Sequence, residues 1–185
     1  MKKILFLVAF CVLTLTIKAQ TASVEKTIFN IQTNHLGLWL NNETRLTNSL
    51  ALRSEVGLAL GPVSFRLRDK QSIFVGMPRL MFTLEPRWYY NLGKRVENSK
   101  SIAGNSGNFL SLKTTYNSNL IFRTNNNQPA TLTVIPTWGI RRNIGNHFNY
   151  ELGAGLGYAH VFKTDRWPSY NQFAVNLHLR FGYKF

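Results

Sequence analysis

From Phe173 to Phe185 every odd position is apolar or aromatic: Phe173, Val175, Leu177, Leu179, Phe181, Tyr183 and Phe185 alternate with Ala174, Asn176, His178, Arg180, Gly182 and Lys184. Against a 44% hydrophobic background, seven hits in seven arise by chance at roughly 0.3%, so the period of 2 is a strand signal with one oily and one polar face. Residues 172–185 at about 3.3 Å each reach roughly 46 Å, or about 33 Å of depth at a 45° tilt. That is long for a soluble edge strand and enough to cross a membrane.

Upstream segments carry the same alternation. Leu46, Leu50, Leu52, Val56, Leu58 and Leu60 share one parity, with Arg53 and Glu55 on the other. Leu80, Phe82, Leu84, Pro86, Trp88 and Tyr90 oppose Arg79, Thr83, Glu85 and Arg87. Leu110, Leu112 and Tyr116 oppose Lys113 and Thr115; Leu132, Val134, Trp138 and Ile140 oppose Thr133, Thr137 and Arg141; Phe148, Tyr150, Leu152, Leu156 and Tyr158 oppose Glu151 and the glycines 153, 155 and 157. These patterns predict seven strands, at 27–40, 45–60, 73–90, 108–122, 130–142, 147–162 and 172–185. Asn41-Asn42 and Asn143-Ile144-Gly145-Asn146 read as tight hairpin turns. Longer polar connections fall at 61–72, 91–107, 124–129 and 163–171, and 91–107 has room for a short helix.

No window beyond residue 19 holds 18 consecutive apolar residues, so strands must do any crossing, and strands in lipid satisfy their backbone only by closing into a barrel. Bacterial single-chain barrels have even strand numbers. The expectation is therefore an all-β, closed antiparallel up-and-down transmembrane β-barrel of eight strands. The eighth is left unplaced: either 62–69 is a short strand, or the parity change at Thr33-Asn34-His35 is a turn or a bulge in the first segment.

Composition then adds location. Lys2-Lys3 followed by a mostly apolar run from Ile4 to Ile17, with Ala19 before Gln20, reads as a secretory signal peptide over residues 1–19, leaving a barrel domain at 20–185. Phe10 is too bulky to precede a lipoprotein cysteine at Cys11. Loss of Lys2, Lys3 and Lys18 takes the formal charge from +14 to +11, and loss of Cys11, the single cysteine, removes thiolate and disulfide chemistry.

A signal peptide joined to an alternating terminal strand ending in Phe181, Tyr183 and Phe185 resembles the small outer-membrane β-barrel proteins of Gram-negative bacteria, the OmpA-like transmembrane class. That resemblance implies that Phe181, Tyr183 and Phe185 form an assembly signal read by the barrel-assembly machinery. It also implies outer-membrane lipid as surroundings and a monomeric state.

The inward parity collects Arg53, Glu55, Arg79, Glu85, Arg87, Lys113, Arg141, Glu151, Arg180 and Lys184. Eight strands enclose little more than their own side chains, so the expectation is an ionic network filling the lumen, centred on Arg53, Glu55, Glu85, Arg87, Arg141 and Glu151. By strand depth, each of the three glutamates is expected to meet one of Arg53, Arg87 and Arg141. A basic lumen that conducts or binds a solute is the alternative. No metal-ligand spacing links His35, His147, His160 and His178, and neither a metal nor another cofactor is expected. A lipid-modifying enzyme would have to use His160 with Asp165 or Ser169, so no catalytic residue is assigned. The glycines at 153, 155 and 157 lie at period 2 in a strand, which suits close packing rather than a phosphate loop. Basic residues are dispersed rather than clustered with stacking aromatics, against nucleic acid. Arg66, Arg68, Lys70, Lys163 and Arg166 fall at a membrane rim, where lipopolysaccharide phosphates would lie. The reading that follows is a structural or surface-interaction protein of the cell envelope.

Overall fold

The computed structural model describes residues 22–60, 78–121, 129–165 and 168–185. The export segment read over 1–19, the strand alternative at 62–69, and Arg66, Arg68, Lys70 and Arg166 lie outside these residues. Eight antiparallel strands close into one up-and-down barrel, β8 returning to β1. They are β1 (Thr27–Asn34), β2 (Gly37–Arg45), β3 (Leu50–Leu60), β4 (Pro78–Tyr89), β5 (Gly107–Ile121), β6 (Thr131–Ile144), β7 (Phe148–Val161) and β8 (Tyr170–Lys184). Between β4 and β5 lie a six-residue helix, α1 (Leu92–Glu97), and a 3₁₀ turn at Ala103–Asn105.

The eighth strand comes from the parity change near Thr33. Asn34 Oδ1 accepts the backbone N–H groups of Leu36 (2.8 Å) and Gly37 (3.1 Å), folding the chain into a tight Asx-type turn between β1 and β2. Gly37 is required there, because a Cβ would lie 2.4 Å from the Leu58 carbonyl oxygen.

The turn expected at Asn41-Asn42 is not one. Both residues lie inside β2, paired with Asn30 and Phe29 of β1. The connection falls instead at Leu46–Ser49, where Thr47 Oγ1 accepts the N–H of Leu50 at 3.1 Å and Leu46 N–H bonds the Leu50 carbonyl at 2.8 Å. Leu46 therefore precedes β3 rather than starting it. Asn42 and Thr44 face outward, which breaks the apolar alternation of Leu38 and Leu40 and imitates a strand end. The Ile144–Phe148 connection, with Gly145 at φ 63°, matches the expected hairpin.

Burial is inverted relative to a protein that folds in water. The largest fully buried side chains include Arg53, Arg87, Arg141, Glu43, Glu85 and Glu151, while Leu177, Tyr158, Phe173 and Phe148 lie exposed on the outer wall. Strand heights are uneven. The β1–β8 ladder has four residue pairs, from Asn30↔Lys184 to Thr33↔Phe181, because β1 turns back at Asn34. β8 continues upward paired with β7 as far as Tyr170. Among the described residues, the wall is thus notched between the β1–β2 tip and the upper half of β8.

Candidate functional site

The near end of the barrel, which holds residue 22 and Phe185, is sealed by the β4–β5 connection. Leu92 and Ile102 pack with Val24, Ala51, Tyr89 and Phe109 into an apolar cluster inside the wall. Polar contacts lock this seal: Glu25 N–H donates to Asn105 Oδ1 at 2.7 Å, and Glu25 accepts the backbone N–H of Gly104. Asn105 Nδ2 then reaches Glu43 Oε1 at 2.6 Å, joining the seal to the charges above it.

Nine of the ten inward charges read from parity are buried, and Lys184 is partly buried beside Glu25 at 3.6 Å. Alternation makes this placement unavoidable, since each sits one residue from an outward apolar neighbour. Glu151 of β7 is the hub. It accepts Arg53 Nη1 on both oxygens at 3.0 Å, and Arg87 Nη1 and Nη2 at 2.8 Å each. His178 Nε2 lies 3.3 Å from Glu151 Oε1. Arg87 also binds Glu85 at 2.8 Å, and Glu85 accepts the Ser111 hydroxyl at 2.7 Å. Glu55 is held by Arg53 and by Arg180, the latter at 2.7 Å. Charges with this many charge-assisted bonds can be kept away from bulk water.

Arg141 departs from the pairing expected by strand depth. Its Nη1 meets Glu43 Oε2 at 2.9 Å, and Glu43 also accepts the Tyr89 hydroxyl at 2.8 Å. The misplaced turn is what hid Glu43. Two arginines stack on inward rings: Arg87 Cζ lies 4.2 Å from the Phe109 ring centroid and Arg180 Cζ lies 4.1 Å from that of Trp39. Gly57 and Gly139 make room for those rings, since a Cβ would meet Trp39 at 2.1 Å or Phe109 at 2.3 Å.

Beside the charges, four amides from three strands form a closed ring that sequence reading did not find. Asn30 donates to Asn41 (3.3 Å), Asn41 to Gln32 (3.5 Å), Gln32 to Asn149 (3.2 Å) and Asn149 back to Asn30 (3.0 Å). Each amide uses a donor and an acceptor, so four buried polar groups are satisfied without charge. The ring also touches the network, through Arg53 to Gln32.

Above the network the lumen opens into a cavity of about 300 Å³, with Glu55, Lys113, His178 and Arg180 at its floor and walls that include Trp39, Ile135 and Thr133. The three period-2 glycines lie in β7, packed against β6 and β8. A Cβ on Gly153 would strike the His178 ring at 2.3 Å, and those on Gly155 and Gly157 would strike the carbonyl oxygens of Pro136 and Val134 at 2.2 Å. They serve close packing.

His160 sits on the outer wall, with Nδ1 2.7 Å from Asn171 Oδ1, its cross-strand neighbour, and its ring edge-on to Phe162. Asn171, not Asp165 or Ser169, is the group that engages this nitrogen. Among the described residues, no three His, Cys, Asp or Glu side chains gather in a metal-binding arrangement.

Outside, aromatic residues form two belts. Near the terminal end, Trp138 Nε1 donates to the Tyr90 hydroxyl at 2.8 Å with Trp88 against Tyr90, and Tyr183 packs on His147, Phe148 and Phe185. Toward the far end, Tyr158 packs on Phe173 and Tyr116 on Phe162. Comparison with protein-family models, with curated proteins and with solved structures finds no match.

Proposed function

We propose that this chain is an integral outer-membrane β-barrel protein of a Gram-negative bacterium, exported by its first nineteen residues, with a structural or surface-interaction role in the envelope. The observation that carries the proposal is the inverted burial of the wall. Large apolar and aromatic residues cover the outside of all eight strands while ionised groups fill the inside. In water such a surface would far exceed the few hundred Å² of contiguous apolar patch that soluble monomers tolerate. In a bilayer it is the low-energy surface, and the belts of Trp88, Tyr90, Trp138 and Tyr183 below and Tyr158 and Phe173 above sit where aromatic girdles mark the two interfaces.

The filled lumen supports a structural role over transport. The apolar seal, the amide ring and the arginine–glutamate network fill the near part of the lumen with fully buried side chains. Outer-membrane lipid is the surrounding partner in this reading, with Lys163 at the rim toward lipopolysaccharide, and Phe181, Tyr183 and Phe185 offered to the assembly machinery while the barrel is still open. The barrel closes on itself, which fits a monomer.

The test is fractionation of cells expressing the full chain. The protein is expected in the outer-membrane fraction, running on a gel at different positions before and after boiling. Recovery of the mature chain from the soluble periplasm without detergent would overturn the proposal.

A further inference from the structure

The notch and the cavity beside it form one feature. Five consecutive residues of β8, Ala174 to His178, border the cavity. A strand paired on both sides shows alternate residues to one space, so consecutive ones meet it only where the strand has a free edge. Among the described residues, that edge follows from the ladder to β1, which stops at Thr33↔Phe181. Leu36, at the β1–β2 tip, forms the sill of the opening; its carbonyl takes the Leu60 N–H at 2.8 Å, so Leu60 forms one side. Leu177, 82% exposed, forms the other. All three jambs are leucines. Vertically, the opening lies between Phe173 of the upper belt and Tyr183 of the lower, within the apolar band.

The floor of the cavity carries a cation outside the direct ion pairs. Glu43, Glu55, Glu85 and Glu151 are ion-paired with Arg53, Arg87, Arg141 and Arg180. Lys113 takes part in none of these pairs, makes no hydrogen bond with a described residue, is 8% exposed and borders the cavity. Glu55 and Glu85 attract the Lys113 ammonium from beyond ion-pair distance and leave its hydrogen-bonding capacity open, and a free strand edge is tolerated at membrane depth where it is buried in protein or lines a water-filled cavity. Both features fit a binding site, and barrel mouths are a usual place for one.

We propose that this site takes a long-chain fatty carboxylate, whose head group pairs with Lys113 and whose alkyl chain leaves through the leucine-framed notch. Charge selects the head and the apolar frame selects the tail. A short water-soluble carboxylate would satisfy Lys113 alone, and a neutral amphiphile the notch alone. That the chain emerges into lipid rests on the membrane reading above, but the binding itself needs only the folded barrel. Failure of the test below therefore leaves the membrane reading standing.

The experiment is native mass spectrometry of the full mature barrel released from detergent micelles after equilibration with hexadecanoate, hexadecanol or hexanoate. The expected result is one hexadecanoate retained per chain, with retention of hexanoate and hexadecanol at least tenfold lower. Lys113→Met is expected to lose the adduct at least tenfold and Lys113→Arg to keep it, while Lys94→Met, on exposed α1, is neutral. Folding of each variant is checked by its gel shift on boiling, and the three-ligand comparison on the wild-type barrel stands without any variant. No hexadecanoate adduct, equal retention of hexadecanol or hexanoate, equal retention by folded Lys113→Met, or a dimer that excludes the ligand would each overturn the proposal.

Discussion

Replacing Glu151 by glutamine removes the charge at the hub of the lumen while changing almost no volume. In the native barrel its two oxygens receive four guanidinium contacts, at 3.0 Å from Arg53 and 2.8 Å from Arg87. The substituted amide would keep one acceptor oxygen and turn its N–H₂ toward two cations. Removing one partner of a buried ion pair costs about 3–5 kcal/mol. Arg53 and Arg87 retain Glu55 and Glu85 as second partners, which puts the expectation near the lower bound, about 3 kcal/mol. Glu85→Gln loses one guanidinium and disturbs one hydroxyl bond, and should cost less, about 1–3 kcal/mol. The assay is urea unfolding of the refolded barrel in phospholipid vesicles, reading the folded fraction from the band that shifts on boiling. A double-mutant cycle adds specificity: Arg87→Met should cost less in the Glu151→Gln background than in the wild type, because the cation removed there has already lost its main partner. A Glu151→Gln barrel within about 1 kcal/mol of wild type, or one more stable than Glu85→Gln, would refute the hub assignment.

Four further outcomes are expected. Wild-type protein in a planar bilayer should stay near baseline conductance, since seal and network block the lumen; a steady ion-selective current would contradict that. Deleting Phe185, or replacing Phe181 and Tyr183 with serine, should reduce the yield of heat-modifiable barrel in cells while leaving the lumen network untouched, as measured by outer-membrane fractionation. Gly155→Ala should destabilise by about 1–3 kcal/mol, because its Cβ would meet the rigid Pro136 carbonyl at 2.2 Å. Gly93→Ala, with no atom within 4 Å of the new Cβ, should be neutral or gain up to about 1 kcal/mol from helix propensity; urea midpoints distinguish the two.

Parity was readable wherever a strand kept its oily face unbroken. In β3, β4 and β8 the sequence pattern placed Arg53, Glu55, Glu85, Arg87 and Arg180 inside, because a period of exactly two leaves a side chain only two directions. It failed in β2. There the outward Asn42 and Thr44 interrupt the leucines, so a strand looked like a turn and Glu43, which anchors Arg141, Tyr89 and Asn105, passed unnoticed. Thr47-Asn48-Ser49 was the better turn signal, since a threonine hydroxyl can take the N–H three residues on. The two readings of the Thr33 region could not be separated by pattern either, as a bulge and a turn both shift parity by one.

What the sequence determined by itself was the face each side chain takes and the all-β barrel that those faces require, because alternation is a local property of an extended chain. The tertiary structure alone decided who meets whom. Arg53 and Glu151 are 98 residues apart, and their contact depends on the register of every intervening ladder and on the stagger at which β8 closes onto β1. The same closure decided that β1 ends below β8, which opens the notch. It also decided that four glutamates find four arginines while Lys113 is left facing the cavity. Charge balance across a lumen is a sum over all strands, and no single segment carries it.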